Sequence, residues 1–288
     1  MIYGKVAMVE KTAQKIALFA VEALLEELHL TPKPGLVDRL DNGSHGDINL
    51  ETMEASAYTL HECFYEIAVA AACKQPSQQL REQMAAIGRY GEQKMFKVAG
   101  NCNTHKGAIW ALGLLTGAAS LLLTQPRSVV VKRGDFLTTA GRIAAYEDRH
   151  VEWKSTHGSK VRQRYKVRTA REEAMECFPV LQYTALPAWD RYDQEPENIR
   201  RLNVLIALMS VVDDTCILHR TDMEVLREVQ EQSYNIIRSG GLGVYENWQL
   251  FAALDIYVTD QWVSPGGSAD LLAATIFLQK IIQHYNIK

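Results

Sequence analysis

The sequence predicts an all-α fold, arranged as a single compact multi-helix, bundle-like domain over residues 1–288. Three observations predict it. Apolar residues recur at helical spacing through most of the chain, no series of alternating strand patterns is present, and no repeat, low-complexity tract or linker divides the chain. With 47% hydrophobic and 23% charged residues, the composition is that of an ordinary globular core and surface.

The elements follow in order. Residues 14–28 place Lys15, Glu22 and Glu26 on one face and leave a wide apolar remainder that ends near Pro32. After a turn-rich segment, 31–49, Asp47 or Asn49 is placed to cap a second helix running to about Cys73. Ser77 is placed to cap a third, on which Leu80, Met84, Ile87 and Met95 recur at helical spacing. Thr104 is the expected N-cap of an apolar helix reaching Leu123, and Gly113 and Gly117 suit it to close approach at the centre of the bundle. Val129–Val131 reads as a short strand, after which Phe136, Ala140, Ile143 and Ala144 return to helical spacing. Further helices are expected over 197–212, 223–238 with a Gly240-Gly241 stop, 245–262 and 268–285.

Charge and cysteine usage narrow the function class. A formal net charge of −3 provides no general drive toward nucleic acid or a membrane surface. The most apolar stretch, Gly107 to Leu123, falls short of the roughly 20 residues a spanning helix needs. Five scattered cysteines without a C-x-x-C pair signal neither a disulfide framework nor structural zinc, and the N-terminal stretch lacks an apolar signal region, so a cytoplasmic protein is expected.

Five polar islands interrupt the helical pattern. Residues 31–47 combine two prolines and three glycines with Lys33, Asp38, Arg39, His45 and Asp47, which suits either a solvated turn or a site. "GNCNTHKG", residues 100–107, puts free helix N–H groups beside Lys106, an anion site unless it is only a capped helix with a buried His105. Residues 156–174 hold Lys160, Arg162, Arg164, Lys166, Arg168 and Arg171, a solvated face or a polyphosphate site. With Tyr165 as the sole interleaved aromatic, that run is no nucleic-acid platform. "DDTCILHR", residues 213–220, sets adjacent carboxylates after an apolar helix, where hard oxygen ligands suit Mg²⁺. "SPGGSAD", residues 264–270, is a capped turn or an anion cradle in which Gly266 and Gly267 let backbone amides converge. Together these are the parts needed to hold a magnesium-polyphosphate, and the residues alone do not choose the reaction.

In this order, "TPKPGLVDR", "NGSHGD", "NTHKGAIWALGLL", "THGSKVRQRYKVRTAREEA", "DDTCILHR" and "SPGGSADLL" resemble the ATP:dephospho-CoA triphosphoribosyltransferase family over about residues 15–285. The resemblance implies transfer of the 5-triphosphoribosyl group of ATP to the ribose 2′-hydroxyl of 3′-dephospho-CoA, with adenine leaving. The product would be the precursor of the prosthetic group on the acyl-carrier subunit of citrate lyase or malonate decarboxylase, handed to a holo-carrier-protein synthase. Homo-oligomerisation is left open.

On that resemblance Lys33, Lys106, Arg162 and Arg171 are assigned to phosphates, Asp213, Asp214 and Asp270 to Mg²⁺, and Asp38, Asp47 or His105 to acid/base work. Asn103, Thr104, Arg220, Ser264, Gly266 and Gly267 complete the nucleotide-binding set. The chain departs from the family pattern at Asn101-Cys102, one residue longer, and at Glu172, Cys177, Thr221 and Asp222, where glycines are usual. Two other readings stand beside transfer: a magnesium-dependent N-glycosyl or nucleotide hydrolase, and a non-catalytic nucleotide-binding homologue.

Overall fold

The computed structural model describes residues 2–125, 130–150 and 157–287. Among them are thirteen α-helices and no strand. In chain order they are α1 (Ile2–Leu28), α2 (Leu50–Ala71), α3 (Gln78–Val98), α4 (Lys106–Leu123), α5 (Arg133–Ala144), α6 (His157–Tyr165) and α7 (Ala170–Met175). There follow α8 (Leu186–Arg191), α9 (Glu197–Met209), α10 (Thr215–Arg220), α11 (Met223–Arg238), α12 (Asn247–Asp260) and α13 (Gly266–His284). A π-helical turn, Leu181–Ala185, runs directly into α8.

Local chemistry sets the boundaries. The Asn49 side chain accepts from Thr52 N at 2.9 Å to start α2, and Ser77 accepts from Leu80 N at 3.2 Å to start α3. At the end of α3, Gly100 takes a left-handed φ of 61° and the Asn101 N–H reaches back to Phe96 O at 2.7 Å, a Schellman closure. Asn101-Cys102, the longer approach to α4, is thus absorbed in the turn that ends α3.

The core centres on α4, which packs against α1, α2, α3, α5 and α13 and is buried almost continuously from Ala108 to Leu121. Leu112 and Leu115 are fully buried, and each contributes about 1.5–3 kcal/mol by leaving water. Among the described residues α4 is the one helix long and apolar enough to cross a membrane, but 72% of it is buried inside the protein, so its apolarity serves the core.

Some expectations change. Val129 lies outside the described residues, and Val130 and Val131 form no strand. The first helix starts at Ile2, well before residue 14, and the arginine-rich run is largely helical as α6 and α7. Most consequential for the site, the start of α13 packs beside the start of α4 and against α10, so three helix N-termini meet.

Candidate active site where helix N-termini meet

The N-cap of α4 is His105, and Thr104 does not cap it. Thr104 Oγ1 bonds instead with Ser56 Oγ at 2.9 Å, while Asn103 Oδ1 accepts from Lys106 N at 3.1 Å. One further N-terminal amide of α4 is met from another helix. Asp270, the fifth residue of α13, accepts the Ala108 N–H, and its carboxylate lies so close that a Cβ on Gly107 would stand 1.9 Å from Oδ2. Only glycine fits at 107 with that carboxylate in place.

Asp214 repeats the arrangement on the opposite helix. Its Oδ1 accepts from Cys216 N at 2.9 Å, capping α10, while Oδ2 accepts from Ser268 N at 3.0 Å and Ser268 Oγ at 3.2 Å at the start of α13. The Gly267 N–H also points to it, and a Cβ on Gly267 would sit 3.2 Å from both oxygens. A helix N-terminus stabilises an exposed carboxylate by only about 0.3–1 kcal/mol, too little to offset burying two neighbouring carboxylates. Burial accordingly pushes both groups above the usual carboxylate range; the Asp214 charge raises Asp270 further, followed by that of Glu27.

These carboxylates border a cavity of about 100 Å³, on the order of the roughly 150 Å³ void known to take up one benzene ring. Trp110, Phe178, Val180, Val211, Val212 and Leu271 give it apolar walls, and Gly107, Gly267, Asp213, Asp214, Asp270, Glu173, Arg168 and Thr169 its polar ones. Four carboxylates thus face one guanidinium. Trp110 is fixed by its Nε1–H donating to Ala170 O at 3.1 Å and by the Arg81 guanidinium 5.0 Å from its ring.

A second cluster surrounds Arg220, the last residue of α10. Arg220 donates to Ser44 O at 2.6 Å and to His45 Nδ1 at 3.2 Å, so His45 carries its proton on Nε2 and donates it to Ser264 Oγ at 2.9 Å. Burial, and then the Arg220 charge, lower the His45 pKa. Asp47 Oδ1 is 3.7 Å from His45 Nδ1, its side chain exposed, and its carbonyl accepts from Cys102 Sγ at 3.5 Å. Gly266 lies against Cys216, where an added Cβ would come within 3.0 Å of Sγ.

The remaining candidates are placed as follows. Lys33 is buried, its ammonium donating to Glu27 O at 2.8 Å and Glu27 Oε1 at 2.5 Å. Asp38 accepts three backbone N–H groups of its own loop, from Lys33, Leu40 and Asp41. His105 is buried with Nε2–H on Met53 O at 3.1 Å, and burial lowers its pKa to about 4, so the ring is neutral at pH 7. Lys106 pairs with Glu92 at 3.1 Å, Arg162 with Glu172 at 2.5 Å, and Arg171 lies 3.9 Å from Glu147. The structure therefore gathers Asp213, Asp214, Asp270 and Gly267 at one cavity and Asp47, Arg220 and Ser264 at a flanking cluster. Lys106, Arg162 and Arg171 are not among the residues that line the cavity, and each faces a carboxylate outside it.

A profile of the family described as ATP:dephospho-CoA triphosphoribosyl transferase matches residues 13–288. The chain belongs to this family. It is 41% identical to a Pseudomonas fluorescens protein named probable 2-(5''-triphosphoribosyl)-3'-dephosphocoenzyme-A synthase, over 93% of this chain and 92% of that one. Proteins of the same name from Pseudomonas aeruginosa (42%, covering 92% of this chain and 90% of that one) and Azotobacter vinelandii (41%, 93% and 92%) are equally similar. No solved structure matches the chain.

The four positions where the sequence resemblance led one to expect glycine have defined structural outcomes. Glu172 closes a capping box with Thr169, and Asp222 caps α11 through Glu224 N and Val225 N. Thr221 has φ −138° and ψ −132°, negative in φ but outside the usual extended range in ψ. Cys177 alone keeps a left-handed φ, of 64°. Sequence reasoning missed Glu27, Trp110, Thr169 and Glu173 as site neighbours. Thr169-x-x-Glu172 is legible as a capping box, which would have marked the turn that carries Thr169 and Glu173.

Proposed function

We propose that this chain, acting as one catalytic domain over residues 1–288, transfers the 5-triphosphoribosyl group of ATP to the ribose 2′-hydroxyl of 3′-dephospho-CoA. The 2′-oxygen bonds to the ribose C1′ as the N-glycosidic bond breaks; the departing adenine takes up a proton, and the hydroxyl proton passes to a base on the enzyme, so that no proton is gained or lost overall. The reading is supported by family membership. The observation that carries it to this site is the pair Asp214–Asp270, held by the amides of three helices beside a ring-sized cavity.

The donor set suits a hard cation. Mg²⁺ is commonly held by one or two carboxylates together with substrate phosphates, and among the described residues no three His, Cys, Asp or Glu groups form a ready-made cage. Asp214 and Asp270, with Asp213 half-exposed beside them, would hold it. When bound, the ion supplies charge neutralisation of the triphosphate at a cavity whose own charge is mainly negative. Lys106, Arg162 and Arg171 would take phosphate oxygens on leaving their present carboxylate partners, and Asn103, Thr104, Gly266, Gly267, Ser264 and Arg220 would frame the bound nucleotide. Lys33 would act indirectly, by keeping Glu27 neutralised behind Asp270.

For the proton of the attacking hydroxyl, Asp47 is the open carboxylate of the three acid/base candidates. Asp38 is held by backbone N–H groups, and His105 donates to Met53 O; both would position their loops. Most of the rate enhancement would come from holding C1′ and the 2′-oxygen in line, with carboxylates near the developing oxocarbenium charge. The protein would work in the cytoplasm, and its product would be passed to a holo-carrier-protein synthase for citrate lyase or malonate decarboxylase.

Mass spectrometry of a reaction containing ATP, Mg²⁺ and dephospho-CoA tests the reading. The expected result is triphosphoribosyl-dephospho-CoA with one adenine per product. Adenine and ribose triphosphate formed without dephospho-CoA would make the chain a hydrolase, and magnesium-dependent ATP binding without any adenine would make it a binding protein.

A further inference from the structure

Glu173 stands in the wall of the cavity at 5% exposure. One of its oxygens, Oε1, accepts the Val180 N–H at 2.7 Å. Oε2 is buried and accepts no hydrogen bond, the Arg168 Nη1 at 3.6 Å being too long for one. A buried acceptor left without a donor is costly, and native structures keep few of them. The residue that carries it lines a ring-sized space with apolar walls on Trp110, Phe178 and Val212, and with Asp214 and Asp270 also at its edge. A planar base carrying an amino group satisfies both the walls and the acceptor.

We propose that Glu173 is a specificity-determining residue, whose Oε2 accepts a hydrogen bond from the exocyclic amino group of the adenine that leaves the donor nucleotide. The inference rests on the transfer reaction proposed above. Both substrates contain adenine, and the cavity is assigned to that of ATP because it is lined by Asp214 and Asp270, the carboxylates assigned above to the ATP-bound cation. A 6-oxo purine would present an acceptor to an acceptor, and a site built around a buried hydrogen-bonding group rejects such an analogue strongly.

Steady-state kcat/KM is measured for ATP, inosine triphosphate and purine riboside triphosphate at fixed dephospho-CoA, on the wild type and on Glu173→Gln. In the wild type both analogues are expected to fall at least about tenfold below ATP. In Glu173→Gln the amide oxygen keeps the Val180 N–H and the amide nitrogen replaces Oε2, so ATP loses and inosine triphosphate gains. The ATP to inosine triphosphate ratio should then drop by about tenfold or more. An unchanged ratio, with both nucleotides slowed alike, would mean that Glu173 serves only Arg168 and Val180 and would overturn the proposal. So would a selectivity change seen on replacing the adenine of dephospho-CoA by hypoxanthine instead of that of ATP. If the variant fails to fold, the wild-type series decides alone, equal values for ATP and inosine triphosphate sinking the idea. Calorimetric binding of the same nucleotides gives the same order without turnover, so failure of the transfer reaction is separable from failure of this assignment.

Discussion

At the scale of single residues, the fate of Lys33 is the clearest instance of charge placement deciding role. Its ammonium and the Glu27 carboxylate are buried together, at 1% and 6% side-chain exposure. Removing one partner of such a pair leaves the other uncompensated, at a cost of about 3–5 kcal/mol. Lys33→Met should therefore lower the unfolding free energy by that amount in urea titration, whereas a lysine acting only on substrate phosphate would leave it unchanged. Asp270 makes the opposite case. Its carboxyl is raised by burial and by Asp214 and Glu27, so the unfolded chain releases that proton more readily as pH rises, and the fold loses stability above the ordinary carboxylate range. Asp270→Asn, compared with wild type in chelator, should melt higher at pH 8, and the difference should shrink toward pH 4. A lower melting point at pH 8 would contradict this reading of the pair.

At the scale of elements, the capping residues are the parts most open to quantitative test. Asp222 accepts from Glu224 N at 3.0 Å and Val225 N at 3.1 Å at the start of α11. Asp222→Ala should cost about 1 kcal/mol, read as a lower denaturation midpoint with an unchanged slope. Elements like these were legible because their signals are local: Asn49, Ser77 and the Gly240-Gly241 stop each act within one turn of chain. Thr104 was misread because its hydroxyl found Ser56 on α2, a partner 48 residues away that no local pattern displays. The short helices α6, α7 and α10 escaped for a related reason, since six to nine polar-rich residues carry little periodicity and are held by packing and by Asp214.

At the scale of the whole molecule, acid stability should carry the signature of His105. Its pKa is about 4 in the folded protein against an ordinary 6.5, so between those values the unfolded chain binds more protons and stability falls as pH falls. The loss approaches about 3 kcal/mol when the window has been crossed. Glu173, raised chiefly by burial, Asp214 and Asp270 act with the opposite sign, losing stability as pH rises. Denaturation of wild type and His105→Gln from pH 7.5 to 4.5 separates these effects, since the advantage of the wild type should shrink in acid; a pH-independent difference would refute the assignment. As for the site, the motifs named most of its members but not their grouping. Asp214 and Asp270 are 56 positions apart, and only the meeting of α4, α10 and α13 makes them neighbours.

That meeting has one more consequence. The amides of Ala108, Cys216, Gly267 and Ser268 are shielded by carboxylates and not by the helices they begin. A cation or nucleotide that draws those carboxylates toward itself should release these few N–H groups to exchange with deuterium faster, while the rest of the bundle exchanges more slowly.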